Sequence, residues 1–257
     1  MLSFNHTQEI TMALIFLIYG LLTGSFLNVC VYRISSGISI VKPPSSCGSC
    51  GHKLNFFKDM LPVVNYIVNK GRCRYCGAPY SVQYSLIELL NGILYVLLYL
   101  KYSITINTVL YCLTASLLIV ISLIDLKHKI IPDGLIITGL VLGIIFIITG
   151  GMFLNRLAGA AIGLALFLGI AVITNAMGGG DIKLMAVLGL MFGVGGILFI
   201  TLFSFVTGAI ISLILLTLKI KGRKDEIPFG PFISLSALIY IFYGIEIINW
   251  YIGLMSI

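Results

Sequence analysis

Charge is what this sequence has least of. Only 10% of its 257 residues are charged and nine are acidic, where an ordinary globular domain carries about 25% charged residues. With 59% hydrophobic residues, the composition excludes an ordinary soluble enzyme. Histidine is scarce too: His6, His52 and His128 fall in loops or polar sequence, so no Ser–His or Cys–His hydrolytic pair stands out. No lysine-rich run is interleaved with aromatics, which argues against a nucleic-acid partner. No basic residue precedes the first apolar run and no clear cleavage site follows it. The N-terminus therefore reads as a retained span, not a signal peptide.

What is present is a series of apolar runs, several reaching the roughly 20 residues needed to cross a bilayer. The fold class is an all-α polytopic membrane protein with about eight transmembrane helices. The spans are expected at 10–32, 84–100, 105–124, 134–149, 154–174 and 229–251, with two more inside 182–218. That pair would break near Gly193-Val194-Gly195-Gly196, and both termini would lie outside.

The net charge of +7 is unevenly placed. Arg33, Lys42, Lys53, Lys58, Lys70, Arg72 and Arg74 surround one polar segment; Lys127 and Lys129 lie in a second; Lys183 follows Asp181; Lys219, Lys221, Arg223 and Lys224 fill a third. Only Lys101 and Arg156 fall in loops of the opposite parity. By the positive-inside rule the rich clusters are cytoplasmic, and the lipid bilayer is their partner.

Four of the seven prolines and four of the six cysteines lie within residues 34–83. This divides the chain into a first transmembrane helix (1–33), a small cytoplasmic insertion (34–83) and a membrane domain (84–257). The insertion is too short for a large core and needs a staple. Cys47-x-x-Cys50 and Cys73-x-x-Cys76, each followed by glycine, suit four thiolates around one tetrahedral zinc. Two disulfides, disfavoured by a reducing compartment, and another metal or a redox role are the alternatives. All four positions would be filled by protein, so such a zinc is structural. Cys30 and Cys112 lie in spans and read as packing residues.

Acids at membrane depth are costly and mark function by default. Asp125 ends the third span, and Asp181 follows Gly178-Gly179-Gly180 at the start of another helical run. Two facing carboxylates suit amide hydrolysis, one activating water while the other, protonated, polarises the carbonyl. Plainer readings stand beside this one. Asp125 could pair with Lys127 or Lys129, Asp181 with Lys183, and Asp133 could cap a helix. A proton-coupled transporter would use the same acids, and a non-enzymatic zinc-bearing scaffold would need neither. The glycines, Gly178 and Gly180 above all, would let an extended peptide approach the backbone beside Asp181.

Several motifs occur together between about residue 20 and 233. They are Gly24-Ser25-Phe26-Leu27-Asn28-Val29 with Tyr32-Arg33, Pro43-Pro44-Ser45, Gly71-Arg72-Cys73, Glu88-Leu89-Leu90-Asn91-Gly92, Ile124-Asp125 with Ile131-Pro132-Asp133, Gly178 to Leu184, and Ile227-Pro228-Phe229-Gly230-Pro231. In this combination the chain resembles the type IV prepilin peptidases, bacterial membrane aspartyl proteases of the GxGD class. The resemblance implies removal of the short basic leader of prepilins or pseudopilins, after a glycine, at the cytoplasmic face of the cell membrane. It also implies N-methylation of the new N-terminus with S-adenosylmethionine. It makes Asp125 and Asp181 catalytic and Cys47, Cys50, Cys73 and Cys76 the zinc ligands. No glycine-rich loop of dinucleotide type locates the methyl donor; Glu88, Asn91 and the insertion near Gly71 are candidates for lining its site.

Overall fold

Hydrocarbon offers the backbone no hydrogen bonds, so the apolar runs have to become helices. The computed structural model describes residues 6–55, 62–174, 177–220, 222 and 225–255; Lys58, Lys221, Arg223 and Lys224 of the basic clusters lie outside them. The helices are α1 (His6–Ser35), the short α2 (Val64–Val68), α3 (Gln83–Tyr102), α4 (Ile106–His128), α5 (Asp133–Gly150), α6 (Phe153–Thr174), α7 (Gly179–Thr217), α8 (Gly230–Ile239) and α9 (Ile245–Met255). A π-helical turn, Tyr240–Gly244, joins the last two.

Among the described residues, seven helices are long and apolar enough to cross a membrane, α8 to α9 counting as one. The sequence suggested about eight because α7 holds two of its runs. This helix has 39 residues and bends at Gly193, whose φ of 71° and ψ of −169° are not helical. Such a length is about 58 Å, far beyond the roughly 30 Å hydrocarbon core. The two arms on either side of Gly193 are the sixth and seventh runs of the sequence.

The chain forms two units, Met1–Val120 and Ile121–Ile257. In the first, α1 packs on α3 through small residues. A Cβ on Gly20 would come within 2.7 Å of the Gly92 Cα, and one on Gly24 equally close to the Glu88 Cα. Asn91, fully buried, donates to the Gly20 carbonyl at 2.7 Å and to Thr23 Oγ1 at 2.8 Å. It accepts from Ser116 Oγ at 2.9 Å, which lies 3.0 Å from the Tyr95 hydroxyl. Asn28 faces a neighbouring helix as expected, donating to the Tyr84 carbonyl at 3.0 Å. Polar side chains here join helices that hydrophobicity alone cannot hold together in lipid.

In the second unit α7 packs against α6, α5 and α8, burying Leu184, Met185, Leu188, Met191, Ile197 and Ile200. The break at Gly193 frees backbone groups, and the first turn of α6 meets them. Asn155 Oδ1 accepts the Val194 N–H at 3.4 Å, and Arg156 Nη1 donates to the Met191 carbonyl. Close approach of α6 and α7 depends on Gly159, where a Cβ would lie 2.5 Å from the Gly193 carbonyl carbon and 2.6 Å from the Gly189 oxygen. Gly159→Leu is therefore expected to destabilise the unit by at least the about 1–3 kcal/mol of overpacking. A thermal-shift measurement in detergent should show this as a fall of about 3–10 °C in Tm.

Candidate active site and metal centre

Asp125 stands near the end of α4, 5% exposed. Its Oδ2 accepts the backbone N–H of Gly230 at 2.8 Å, across 105 residues of chain. Gly230 opens α8, and the first N–H groups of a helix lack partners of their own, so they are ready donors to a carboxylate. Asp181 occupies the first turn of α7. Its Oδ1 is buried and has no hydrogen-bond partner, and the two carboxylates are close enough to interact electrostatically.

The nearby lysines are engaged elsewhere. Lys183 Nζ lies 2.6 Å from Asp133 Oδ1, and Lys129 Nζ lies 3.1 Å from Glu226 Oε2. The simpler pairings of Asp181 with Lys183 and of Asp125 with Lys129 are therefore not formed. Asp133 does not cap α5; Pro132 holds that place and Asp133 begins the helix. The structure thus brings together two acids without cationic partners among the described residues.

The glycines before Asp181 differ from one another. Gly178 is extended and exposed, and its nearest neighbour for a Cβ is Asp181 Oδ2 at 3.3 Å. Gly179 faces open space, whereas a Cβ on Gly180 would meet the Ile131 Cβ at 2.9 Å. Gly180 admits the segment before α5, while Gly178 puts no side chain beside Asp181 Oδ2. Gly230 has no role that the sequence alone assigns, although Pro228-Phe229-Gly230-Pro231 is among the motifs. A donor that is only backbone carries no other mark.

Cys47, Cys50, Cys73 and Cys76 come together in the first unit, their four sulfurs within 4.8 Å of one another. None of the six cysteines is in a disulfide, and Cys30 and Cys112 are buried. Each pair sits in the same turn. Cys47 N–H donates to the His52 carbonyl at 2.9 Å and Gly51 N–H to the Cys47 carbonyl at 2.9 Å; Cys73 with Ala78 and Gly77 with Cys73 repeat this at 2.8 and 2.9 Å. Gly51 and Gly77 have φ of 69° and 71°, a left-handed conformation that favours glycine.

The sulfurs fit a tetrahedral ion. Zn–S bonds of about 2.3 Å imply S···S edges of about 3.8 Å, and Cys47 Sγ lies 3.9 Å from Cys76 Sγ. Their acidities are already uneven. N–H groups of Cys50 and then Ser49 lower Cys47 to about 6. At Cys76 the Ala78 N–H acts in the same sense, but desolvation and the three neighbouring sulfurs outweigh it and push the thiol up to about 11. A divalent cation removes that conflict by favouring four thiolates.

Of the three candidates for lining a cofactor site, Glu88 and the insertion near Gly71, through Asn69, Arg72 and Cys73, border a cavity of about 700 Å³ in the first unit. Asn91 is consumed by its helix-joining network, and Gly71, at φ 67°, lies under the Tyr66 ring.

Residues 18–102 match the family model described as the bacterial peptidase A24 N-terminal domain, and residues 112–213 match the type IV leader peptidase family. A protein of Legionella pneumophila named prepilin leader peptidase/N-methyltransferase is 32% identical over 92% of this chain and 93% of its own. One of the same name from Bacillus subtilis (strain 168) is 31% identical over 93% of this chain and 97% of its own. Another, from Myxococcus xanthus (strain DK1622), is 34% identical over 79% of this chain and 63% of its own. No solved structure matches the chain.

Proposed function

The chain belongs to the type IV leader peptidase family, and from that premise we propose that it removes the basic leader of prepilins or pseudopilins using Asp125 and Asp181. The supporting observation is the pair of carboxylates with no cationic partner among the described residues, one on a helix N–H and one with a buried, unpartnered oxygen. Sharing a site, two such groups do not easily ionise together. Both carboxylates accept a backbone N–H, Asp125 from Gly230 and Asp181 from Gly178. One oxygen of Asp181 is buried with no donor, however, so Asp125 is the ionised member and takes a proton from water. The water oxygen attacks the scissile carbonyl carbon while Asp181, protonated, donates to the carbonyl oxygen. Collapse of the intermediate breaks the C–N bond and returns a proton to the departing amine. Gly178, extended and uncovered, offers backbone to the substrate strand, and Gly180 keeps the adjoining segment close.

The reaction takes place at the cytoplasmic membrane face, a reading that rests on where the basic residues fall. Cys47, Cys50, Cys73 and Cys76 hold a structural zinc that staples the 34–83 insertion, with 1–33 as the first span and 84–257 as the peptidase domain. S-adenosylmethionine, when bound, supplies the methyl group for the new N-terminal amine. Incubating purified protein with candidate prepilins and weighing the products tests both halves. A leader left on would sink the peptidase reading, and a processed pilin lacking the added methyl group would remove the transferase.

Gly230 gives a narrower test. A Cβ there would lie 2.7 Å from Asp125 Oδ2, so Gly230→Ala must shift the carboxylate. Misplacement by about 1 Å can lower turnover about 10²-fold. The expected result is a kcat lower by about that factor with KM little changed; wild-type turnover would release Gly230 from any part in the reaction.

A further inference from the structure

Three buried side-chain atoms among the described residues have no hydrogen-bond partner: Asp181 Oδ1, Ser234 Oγ and Ser236 Oγ. Hydroxyls inside helices can bond back to the carbonyl four residues earlier, and the other buried serines and threonines are all satisfied. Thr114 donates to the Leu110 carbonyl, Ser204 to that of Ile200, Ser116 to Asn91 Oδ1 and Thr108 to the Ser103 carbonyl. Ser234 is only 3% exposed and leaves unused the Gly230 carbonyl that its place in α8 offers. A hydroxyl buried without a partner is costly, so Ser234 needs a reason.

Its position supplies one. Ser234 follows Gly230 by four residues, which puts both on one face of α8. That face carries Asp125: a Cβ on Gly230 would lie 2.7 Å from the Asp125 Oδ2 and 3.3 Å from the Asp125 Cβ. Helical side chains lean back over the preceding turn, so the Ser234 hydroxyl is directed at the turn that Gly230 opens, beside the carboxylate. Ser236, two residues further on, lies on a different face. Asp181, which holds another of the unpartnered atoms, is close enough to Asp125 for their charges to interact.

We propose that Ser234 is a third catalytic residue of the peptidase site, its hydroxyl oxygen accepting one hydrogen of the attacking water while Asp125 takes the other. The water's lone pair is then turned toward the scissile carbonyl carbon. One proton ends on Asp125, the second stays on the attacking oxygen, and the serine keeps its own hydrogen and forms no covalent bond. This rests on the two-aspartate reading and adds to it the group that orients the nucleophile.

Steady-state cleavage of a prepilin by Ser234→Ala, with thermal unfolding of the same preparation, tests it. Losing one orienting hydrogen bond should lower kcat about 10-fold and leave KM within about twofold. Deleting an unpartnered buried hydroxyl should meanwhile raise Tm by about 2–4 °C. Ser236→Ala is the control, with a similar gain in Tm and the kcat of the wild type. A kcat in Ser234→Ala within about twofold of wild type overturns the assignment. So does an equal loss of kcat in Ser236→Ala, and so does a fall in Tm in Ser234→Ala, which would make the slower rate a packing defect. Asp125→Asn that still cleaves would sink the two-aspartate reading and this role together. An inactive Asp125→Asn beside an unimpaired Ser234→Ala would remove Ser234 alone.

Discussion

Asp125→Asn and Asp181→Ala are each expected to lower leader cleavage by at least about 10³-fold, within the range set by loss of general acid–base catalysis. Gel separation of prepilin from processed pilin measures it. Asparagine is the better replacement at Asp125. It keeps an oxygen for the Gly230 N–H, whereas alanine would leave that buried donor unmatched at a cost of about 1–3 kcal/mol. At Asp181 the buried Oδ1 has no hydrogen-bond partner, so alanine removes chemistry without orphaning a donor to that atom. Both variants should insert normally and retain their metal, because the four cysteines belong to the other unit. Cleavage by Asp125→Asn at even a tenth of the wild-type rate would deny Asp125 the task of activating water.

The second large effect is expected at the cysteines. Purified protein should carry one zinc, and Cys73→Ser should reduce this to less than about a tenth, since structural zinc sites need all four ligands. The described part of the insertion contains one five-residue helix and two isolated β-bridges, Ser46 with Lys53 and Arg72 with Pro79. So little secondary structure cannot offset the entropy of ordering the loop, whereas structural zinc contributes about 10–16 kcal/mol in small peptides. Limited trypsin digestion should accordingly cut the Cys73→Ser variant within residues 34–83 much faster than the wild type. Full zinc occupancy in Cys73→Ser would refute a four-sulfur site.

Much of this was legible in the sequence, for physical reasons that differ by region. Span limits followed from hydropathy to within a few residues, because length and apolarity alone decide what crosses a bilayer. The cysteine turns were legible because each is local, with its hydrogen bonds, glycine and ligands inside six residues. The surroundings of the acids were not. Lys183 is two residues from Asp181, a spacing that puts side chains on different helix faces, and it reaches Asp133 instead. The pairing of Lys129 with Glu226 and the donation from Gly230 to Asp125 span 97 and 105 residues, and no local pattern encodes such distances. Nor does periodicity announce the π turn at Tyr240–Gly244, where Tyr240 packs against Phe192 and Phe199.

The break in α7 carries a consequence for biogenesis. Its freed groups near Gly193 are met by Asn155 and Arg156, and both precede the break in the chain. During synthesis the caps emerge before the groups they serve, so α7 need never face lipid with a bare kink. Order of translation thus matches order of need, and separating α6 from α7 onto two polypeptides would remove that advantage.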